Sequence, residues 1–170
     1  MRGEVKSSRE YAAIQRWYAG RAAGRSGVPL MRHIDDGLRI LEQIDASLAA
    51  GRAFCLHPLL QAEADLIVHA PRIADATDDP YLVVLAVEYR HIANAALSSR
   101  TLTDAADIAL SPLADVNAML VADKVQNRKD FQRHHEQHHP RRAELARYFE
   151  LWLERLGIDE ARYAQLAAEL

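Results

Sequence analysis

The sequence predicts an all-α protein, and three observations support this. Apolar residues recur at helical spacing through much of the 170-residue chain, as at Tyr11, Ile14 and Tyr18. Asp79-Pro80 and Ser111-Pro112 each join a capping residue to a proline at the first helical position, which is a typical helix start. No stretch alternates apolar and polar residues as a half-buried strand does.

The elements follow in order from these signals. Pro58 disfavours helical backbone at His57, so we expect a break there and irregular chain through Pro71 to Asp79. Gly157 is a suitable residue to follow the end of a helix. The chain is predicted to be a single domain over residues 1–170, with about six to eight helices. We expect helices over residues 4–23, 30–48, 49–56, 80–98, 111–136, 141–156 and 159–170.

Composition narrows the possible partners and the compartment. The formal net charge of -3 gives no support for a nucleic-acid or membrane partner. The longest apolar run, residues 81–87, is too short to span a bilayer. Cys55 is the single cysteine and cannot form an internal disulfide, and residues 1–10 are too polar for a signal peptide. We therefore expect a cytoplasmic protein.

The helix predicted over residues 111–136 has polar residues on or beside its apolar stripe. They are Asn117, Asp123, Lys124 and Asn127. One interpretation is that Asp123 binds a metal ion or orients a catalytic group, while Asn127 holds a phosphate or sugar. The other, which this helix taken alone favours, is that Asp123 and Lys124 lie at the edge of the core and are solvated.

Two histidines are further candidates. His33 and Asp36 share a helix face, so they form either a metal ligand with its orienting carboxylate or a structural hydrogen-bonded pair. His57 has apolar neighbours and is predicted to be buried, where both ring nitrogens need partners.

Three blocks of sequence resemble, in order, the motifs of one family. The segment Arg25–His33 resembles "RxSGxPYxxH", Ala53–His57 resembles "AxLLH", and Val121–Arg128 resembles "LADRLHNMR". These motifs belong to the hydrolase (HD) domain of RelA/SpoT-type guanosine-tetraphosphate enzymes. The resemblance covers residues 16–129, and residues 131–170 match no part of that family that we can place.

The resemblance implies an HD-type helical domain with a divalent metal ion bound by His33, His57 and Asp123. It also implies a nucleotide ligand that contacts Asn127 and lies near Arg25. Arg16 and Trp17 would suit stacking against a nucleobase, although a tryptophan is more often part of the core. The predicted nucleotide-binding residues are Arg25, Asn127, Arg16, Trp17 and Lys124.

The sequence differs from the family pattern at positions that bind the metal ion or are thought to activate water in that family. Pro58 stands where the family has its metal-ligand Asp, and Gln61 and Ala62 stand where it has two carboxylates thought to activate water. A site without these anionic oxygens binds manganese or zinc weakly and lacks a base for the metal-bound water. The carboxylates considered as replacements are Glu63, Asp65, Asp36 and Glu88.

The main prediction is therefore a nucleotide-binding protein of the phosphohydrolase superfamily with weak or absent hydrolysis. One alternative is an active metal-dependent phosphohydrolase acting on a purine nucleotide, and another is a non-catalytic interaction module. The predicted partner is a small-molecule nucleotide, and a homo-oligomer is possible. The cluster of His134, His135, His138 and His139 contains an i,i+4 pair that could bind zinc, but a solvated helix end is the favoured interpretation. Glu88, His91 and Asn94 lie on one helix face and either line the same pocket or form a polar contact between helices.

Overall fold

The computed structural model describes residues 1–24, 26–61, 63–98 and 102–170, with backbone only at 63–66, 69, 70, 97 and 98. The described part contains nine α-helices, two short 3-10 helices and no strand; its one β-bridge joins Ala22 to Pro29. The α-helices are α1 Arg2–Lys6, α2 Arg9–Tyr18, α3 Leu30–Gln43, α4 Leu48–Leu56, α5 Glu63–Ala76, α6 Pro80–Ser98, α7 Ala114–His134, α8 Arg142–Arg155 and α9 Glu160–Ala167. The 3-10 helices are His57–Leu60 and Ala105–Asp107.

The core is built around α4 and α7. Helix α4 packs against α2, α3, α6 and α7, and most of its residues are fully buried, including Phe54 and Leu56. Helix α7 lies against α3 on one side and against α6 and α8 on others. The metal-ligand candidates predicted from sequence lie on α3, on α7 and immediately after α4. Packing of these three elements therefore decides whether the candidates meet.

Several helix boundaries differ from the sequence prediction because local capping overrides apolar periodicity. The first predicted helix is two helices, since Ser8 adopts extended backbone and its hydroxyl accepts a hydrogen bond from Tyr11 N–H. Helix α3 ends at Gln43 because Ser47 caps α4 in the same way, with Asp45 between them at φ 52°. Helix α7 begins at Ala114, three residues later than predicted, and the Ser111 hydroxyl accepts a hydrogen bond from Leu113 N–H in the turn before it.

The prediction of irregular chain from His57 to Asp79 is wrong. A 3-10 helix covers His57–Leu60, and α5 runs through Pro71 to Ala76. A proline inside a helix removes one N–H group and frees the carbonyl four residues earlier, which here belongs to Ile67. The Ile67 side chain is 82% exposed, so water can reach this part of the helix and bond the freed carbonyl. Within the described residues, no helix is long and apolar enough to cross a membrane.

Candidate metal centre

Three side chains from distant parts of the sequence meet at one point. His33 lies on α3, His57 begins the first 3-10 helix and Asp123 lies on α7. His33 Nε2 is 3.2 Å from His57 Nε2 and 3.6 Å from Asp123 Oδ1. All three potential ligand atoms lie within 4.8 Å of one another. Ligand atoms around one tetrahedral metal ion lie roughly 3.3 Å apart, given bonds of about 2.0–2.2 Å, so the group has suitable dimensions for a metal centre.

The centre is buried on one side and open on the other. His57 is 3% exposed, and the Asp123 side chain is 6% exposed, whereas the His33 side chain is 22% exposed. A cleft of about 400 Å³ opens onto the group and is also lined by Pro58 and Gln61. A small ligand can therefore reach the three side chains from solvent.

Hydrogen bonds outside the centre fix the proton position on His33. The Gln126 side chain donates from Nε2 to Asp130 Oδ2 over 2.6 Å, which leaves its Oε1 to accept. That oxygen lies 2.7 Å from His33 Nδ1, so Nδ1 carries the proton. His33 Nε2 then carries a lone pair directed at the centre. Such outer hydrogen bonds commonly orient metal-binding histidines.

The proton position on His57 is fixed in the same way. Its Nδ1 donates to the Phe54 carbonyl over 2.6 Å, so Nε2 again presents a lone pair. Burial and the nearby His33 lower the pKa of His57 to about 3, which keeps this ring neutral. The two Nε2 lone pairs and a carboxylate oxygen face one another at short range. This arrangement is favourable only around a positive centre, either a proton shared by the rings or a metal ion.

Asp123 is held as an anion. Asn127 donates to its Oδ1 and the Lys124 ammonium to its Oδ2, each over 2.9 Å. Burial alone would raise the pKa of Asp123, but Lys124, and then His33 and His57, lower it to about 2. Burial and the same carboxylate raise the pKa of Tyr89 well above its usual value. Among the side chains that the structure describes, Asp123 therefore supplies the one negative charge of the centre.

Lys124 is 4% exposed and remains charged. Burial opposes its charge, but Asp123 outweighs burial and raises the pKa of the ammonium. Its Nζ also lies 4.9 Å from the Trp152 ring centroid and 5.6 Å from that of Tyr148. The Tyr148 hydroxyl also raises the Lys124 pKa, although it has no hydrogen-bond partner among the described residues. The interpretation of Asp123 and Lys124 as solvated residues is therefore wrong.

The predicted pairing of His33 with Asp36 is also wrong. The Asp36 carboxylate is fully buried and accepts from Lys129 over 3.0 Å and from Arg39 over 2.6 Å. These cations pair with both oxygens of the carboxylate, and His33 is not among its hydrogen-bond partners. Gln126, on a different helix, orients His33 instead.

The other carboxylates considered as replacements do not join the three ligands in the described part. Glu88 accepts a hydrogen bond from the Ser111 hydroxyl over 3.0 Å. Asn94 donates to the Gln61 carbonyl, and His91 is exposed. The three side chains of this predicted set therefore have different surroundings and do not form one polar site. The side chains of Glu63 and Asp65 lie outside the described residues, as do Arg25 and Ala62.

Of the predicted nucleotide-binding residues, Asn127 and Lys124 line the cleft region beside the centre. Arg16 and Trp17 instead line a separate cleft of about 250 Å³, together with Arg72. The four histidines at positions 134–139 begin at the last residue of α7, His134, and they form no group that could hold a metal ion among the described side chains.

Sequence reasoning missed Gln126, Asp130 and Tyr89. The spacing did contain a signal for the first two, because Asp123, Gln126 and Asp130 lie three and four residues apart on one helix. The spacing did not show that Gln126 would bond to His33 on α3. Comparison of the chain with family models, with curated proteins and with solved structures gives no match.

Proposed function

We propose that this protein binds a divalent metal ion through His33, His57 and Asp123 and a phosphorylated small molecule, a purine nucleotide, beside it. The centre resembles an HD site that lacks one of its metal-binding carboxylates, and hydrolysis of the ligand is slow or absent. The proposal joins the residue resemblance to the geometry of the described site.

The observation that carries the proposal is the convergence of three lone pairs. Both histidines donate from Nδ1, His33 to Gln126 and His57 to the Phe54 carbonyl, so both Nε2 atoms present lone pairs close to Asp123. A proton shared by the rings would satisfy the two histidine lone pairs, whereas a metal ion satisfies both of them and the carboxylate oxygen together. A site that needs a cation and is preset to receive it favours metal binding.

The surroundings of the centre favour a phosphorylated ligand. The buried Lys124 ammonium and the Asn127 amide lie beside the open side of the cluster. A cation and an amide at a metal centre suit the negative oxygens of a phosphate. The resemblance to nucleotide hydrolases then supplies the class of ligand, a purine nucleotide.

The same geometry accounts for slow hydrolysis. Pro58 and Gln61 line the cleft at the positions where the family pattern has acidic side chains, and neither can take a proton from water. Asp123 already accepts two hydrogen bonds and has a low pKa, so it is a poor base. When bound, the metal ion would supply a Lewis acid that neutralises phosphate charge.

The first test is metal binding by the chelator-treated protein, measured by calorimetry and native mass spectrometry with manganese and zinc. We expect one ion per chain, bound weakly, and loss of that ion in His57→Gln and Asp123→Asn. His91→Gln is the matched control, because His91 is exposed and outside the cluster. Binding that is unchanged in His57→Gln would contradict the proposal.

The second test is ligand binding. Guanosine tetraphosphate or GTP with manganese should raise the melting temperature, since a ligand specific to the folded state stabilises it. Release of phosphate from either nucleotide should be slow. Rapid, metal-dependent release would favour the active phosphohydrolase instead, and no shift with any nucleotide would favour the interaction module.

A further inference from the structure

A second cleft continues from the metal centre along α7 to its junction with α8. Its volume is about 410 Å³. Asp123 and Asn127 line both this cleft and the one that opens onto the histidines. The far end, which we call the aromatic end, is formed by Phe131, Tyr148 and Phe149. The volume falls within the range of small-molecule sites, roughly 300–1,000 Å³, so a single ligand can extend from the centre to the aromatic end.

Lys124 lies between the two ends. Asp123 Oδ2 is its one oxygen acceptor among the described residues, and its other contacts are the rings of Trp152 and Tyr148. An ammonium has three N–H donors, and a ring face satisfies them less well than an oxygen does. Lys124 is therefore placed to bind a phosphate oxygen of a ligand in the cleft.

The aromatic end offers stacking surfaces and a polar edge. The Phe149 ring centroid lies 5.7 Å from that of Phe131 and 5.4 Å from that of Tyr148. His139 also lines the cleft, and its Nδ1 accepts from the Arg141 backbone N–H over 3.1 Å. In the neutral ring the proton is then on Nε2, which is a donor. A flat ring system with acceptor atoms on its edge suits these groups.

The stacking residues predicted from sequence are placed differently. The Trp17 ring is covered by the guanidinium groups of Arg72, at 4.3 Å from the centroid, and Arg21, at 5.2 Å. Arg16 and Trp17 line a cleft that shares no lining residue with the two at the centre.

We propose that the cleft between α7 and α8 binds the organic group of the phosphorylated ligand, and that this group is a flat aromatic ring system with acceptor atoms on its edge. The inference depends on the proposed function, because it places the phosphates of that ligand at Lys124 and the metal centre. It adds helix α8, which has no counterpart in the family motifs, as the element that selects the ligand.

The test compares GTP with inorganic tripolyphosphate, which has phosphates but no ring system, by calorimetry with manganese present. GTP should bind more tightly than tripolyphosphate. Phe149→Leu keeps an apolar side chain but removes the ring, and should weaken GTP binding by about two- to tenfold without changing tripolyphosphate binding. Trp17→Phe, in the separate cleft, should leave GTP binding unchanged.

A spectroscopic measurement needs no change at the aromatic end. The chain has two tryptophans, so Trp17→Phe leaves Trp152 as the only one. Trp152 packs against Tyr148, with ring centroids 6.4 Å apart. GTP bound in this cleft should change Trp152 fluorescence more than tripolyphosphate does.

The outcomes separate the two proposals. If neither GTP nor tripolyphosphate binds the wild-type protein, the proposed function fails and this inference with it. If both bind equally, or if Trp17→Phe weakens GTP binding while Phe149→Leu does not, this inference is overturned and the proposed function stands.

Discussion

At the scale of single residues, the centre is defined as much by its outer hydrogen bonds as by its three candidate ligands. Gln126 and Asp130 on α7 fix the proton of His33 on α3, and the Phe54 carbonyl does the same for His57. The resemblance was enough to predict His33, His57 and Asp123 as a set. It could not predict the outer bonds, because they depend on how α3 and α7 pack against each other.

Removal of the Gln126 amide should weaken metal binding. In Gln126→Leu, His33 Nδ1 loses its acceptor, so the ring is free to place its proton on Nε2. Loss of such an outer bond typically costs about 10–100-fold in metal affinity. Manganese titration of the variant measures this, with Gln15→Leu, at an exposed position on α2, as the control. An affinity equal to that of wild type would show that His33 does not bind the ion.

Addition of a carboxylate at position 58 should have the opposite effect. Pro58 lines the cleft beside His57 and lies at the start of a 3-10 helix, where Asp is a suitable residue. Lys124 already pairs with the single anion of the centre, so a second anion should tighten manganese binding. We expect Pro58→Asp to bind more tightly than wild type in the same titration.

Pro58→Asn is the matched control, since Asn has nearly the same shape as Asp but carries no charge. Equal affinities of the Asp and Asn variants would show that residue 58 does not reach the ion.

At the scale of elements, α3 and α4 position both histidines through Phe54. The Phe54 ring lies 4.5 Å from the His57 ring and 5.6 Å from the His33 ring, centroid to centroid. Gly37 on α3 permits this packing, because a Cβ at that position would overlap the Phe54 ring. Apolar periodicity and helix-start signals together were enough to predict most helices, including α6 from Asp79-Pro80 and α8 from its apolar face. Helix α5 was not predicted, because Pro58 indicated a break at His57 and irregular chain was expected from there through Pro71 to Asp79.

Gly37→Ala should therefore destabilise the protein and disturb the centre. The added methyl group forces Phe54 to move in a filled core, which typically costs about 1–3 kcal/mol. Urea unfolding measures this loss, and manganese titration should show weaker binding in the same variant. Gly3→Ala is the control, because nothing lies within 4 Å of a Cβ built there. Equal stability of Gly37→Ala and wild type would mean that α3 and α4 are not packed this closely.

At the scale of the whole molecule, buried ion pairs join helices that are far apart in sequence. Glu10 on α2 is fully buried, and both of its carboxylate oxygens accept from Arg52 on α4 over 3.0 Å. Arg52 Nη1 also lies 3.8 Å from Asp79, just before α6. The N-terminal helices are thus tied to the central helix and to the start of α6. Their amphipathic pattern was visible in the sequence, but the partner of Glu10 was not.

This pairing makes the stability of the protein depend on pH in a stated direction. Burial raises the pKa of Glu10, but hydrogen bonds from Arg52, and then from Thr77 and Ser8, outweigh burial and lower it below the usual value. A group with a lower pKa in the folded state stabilises that state above the unfolded pKa, about 4.3, and loses that contribution as pH falls through the folded value.

Urea unfolding from pH 7 to pH 3 should show Glu10→Gln much less stable than wild type at pH 7. The difference should shrink as pH falls below about 4, the range in which the wild-type carboxylate is protonated. Glu154→Gln, at an exposed position, is the control and should follow wild type throughout. A gap between Glu10→Gln and wild type that stays constant with pH would show that the charge of Glu10 does not stabilise the fold.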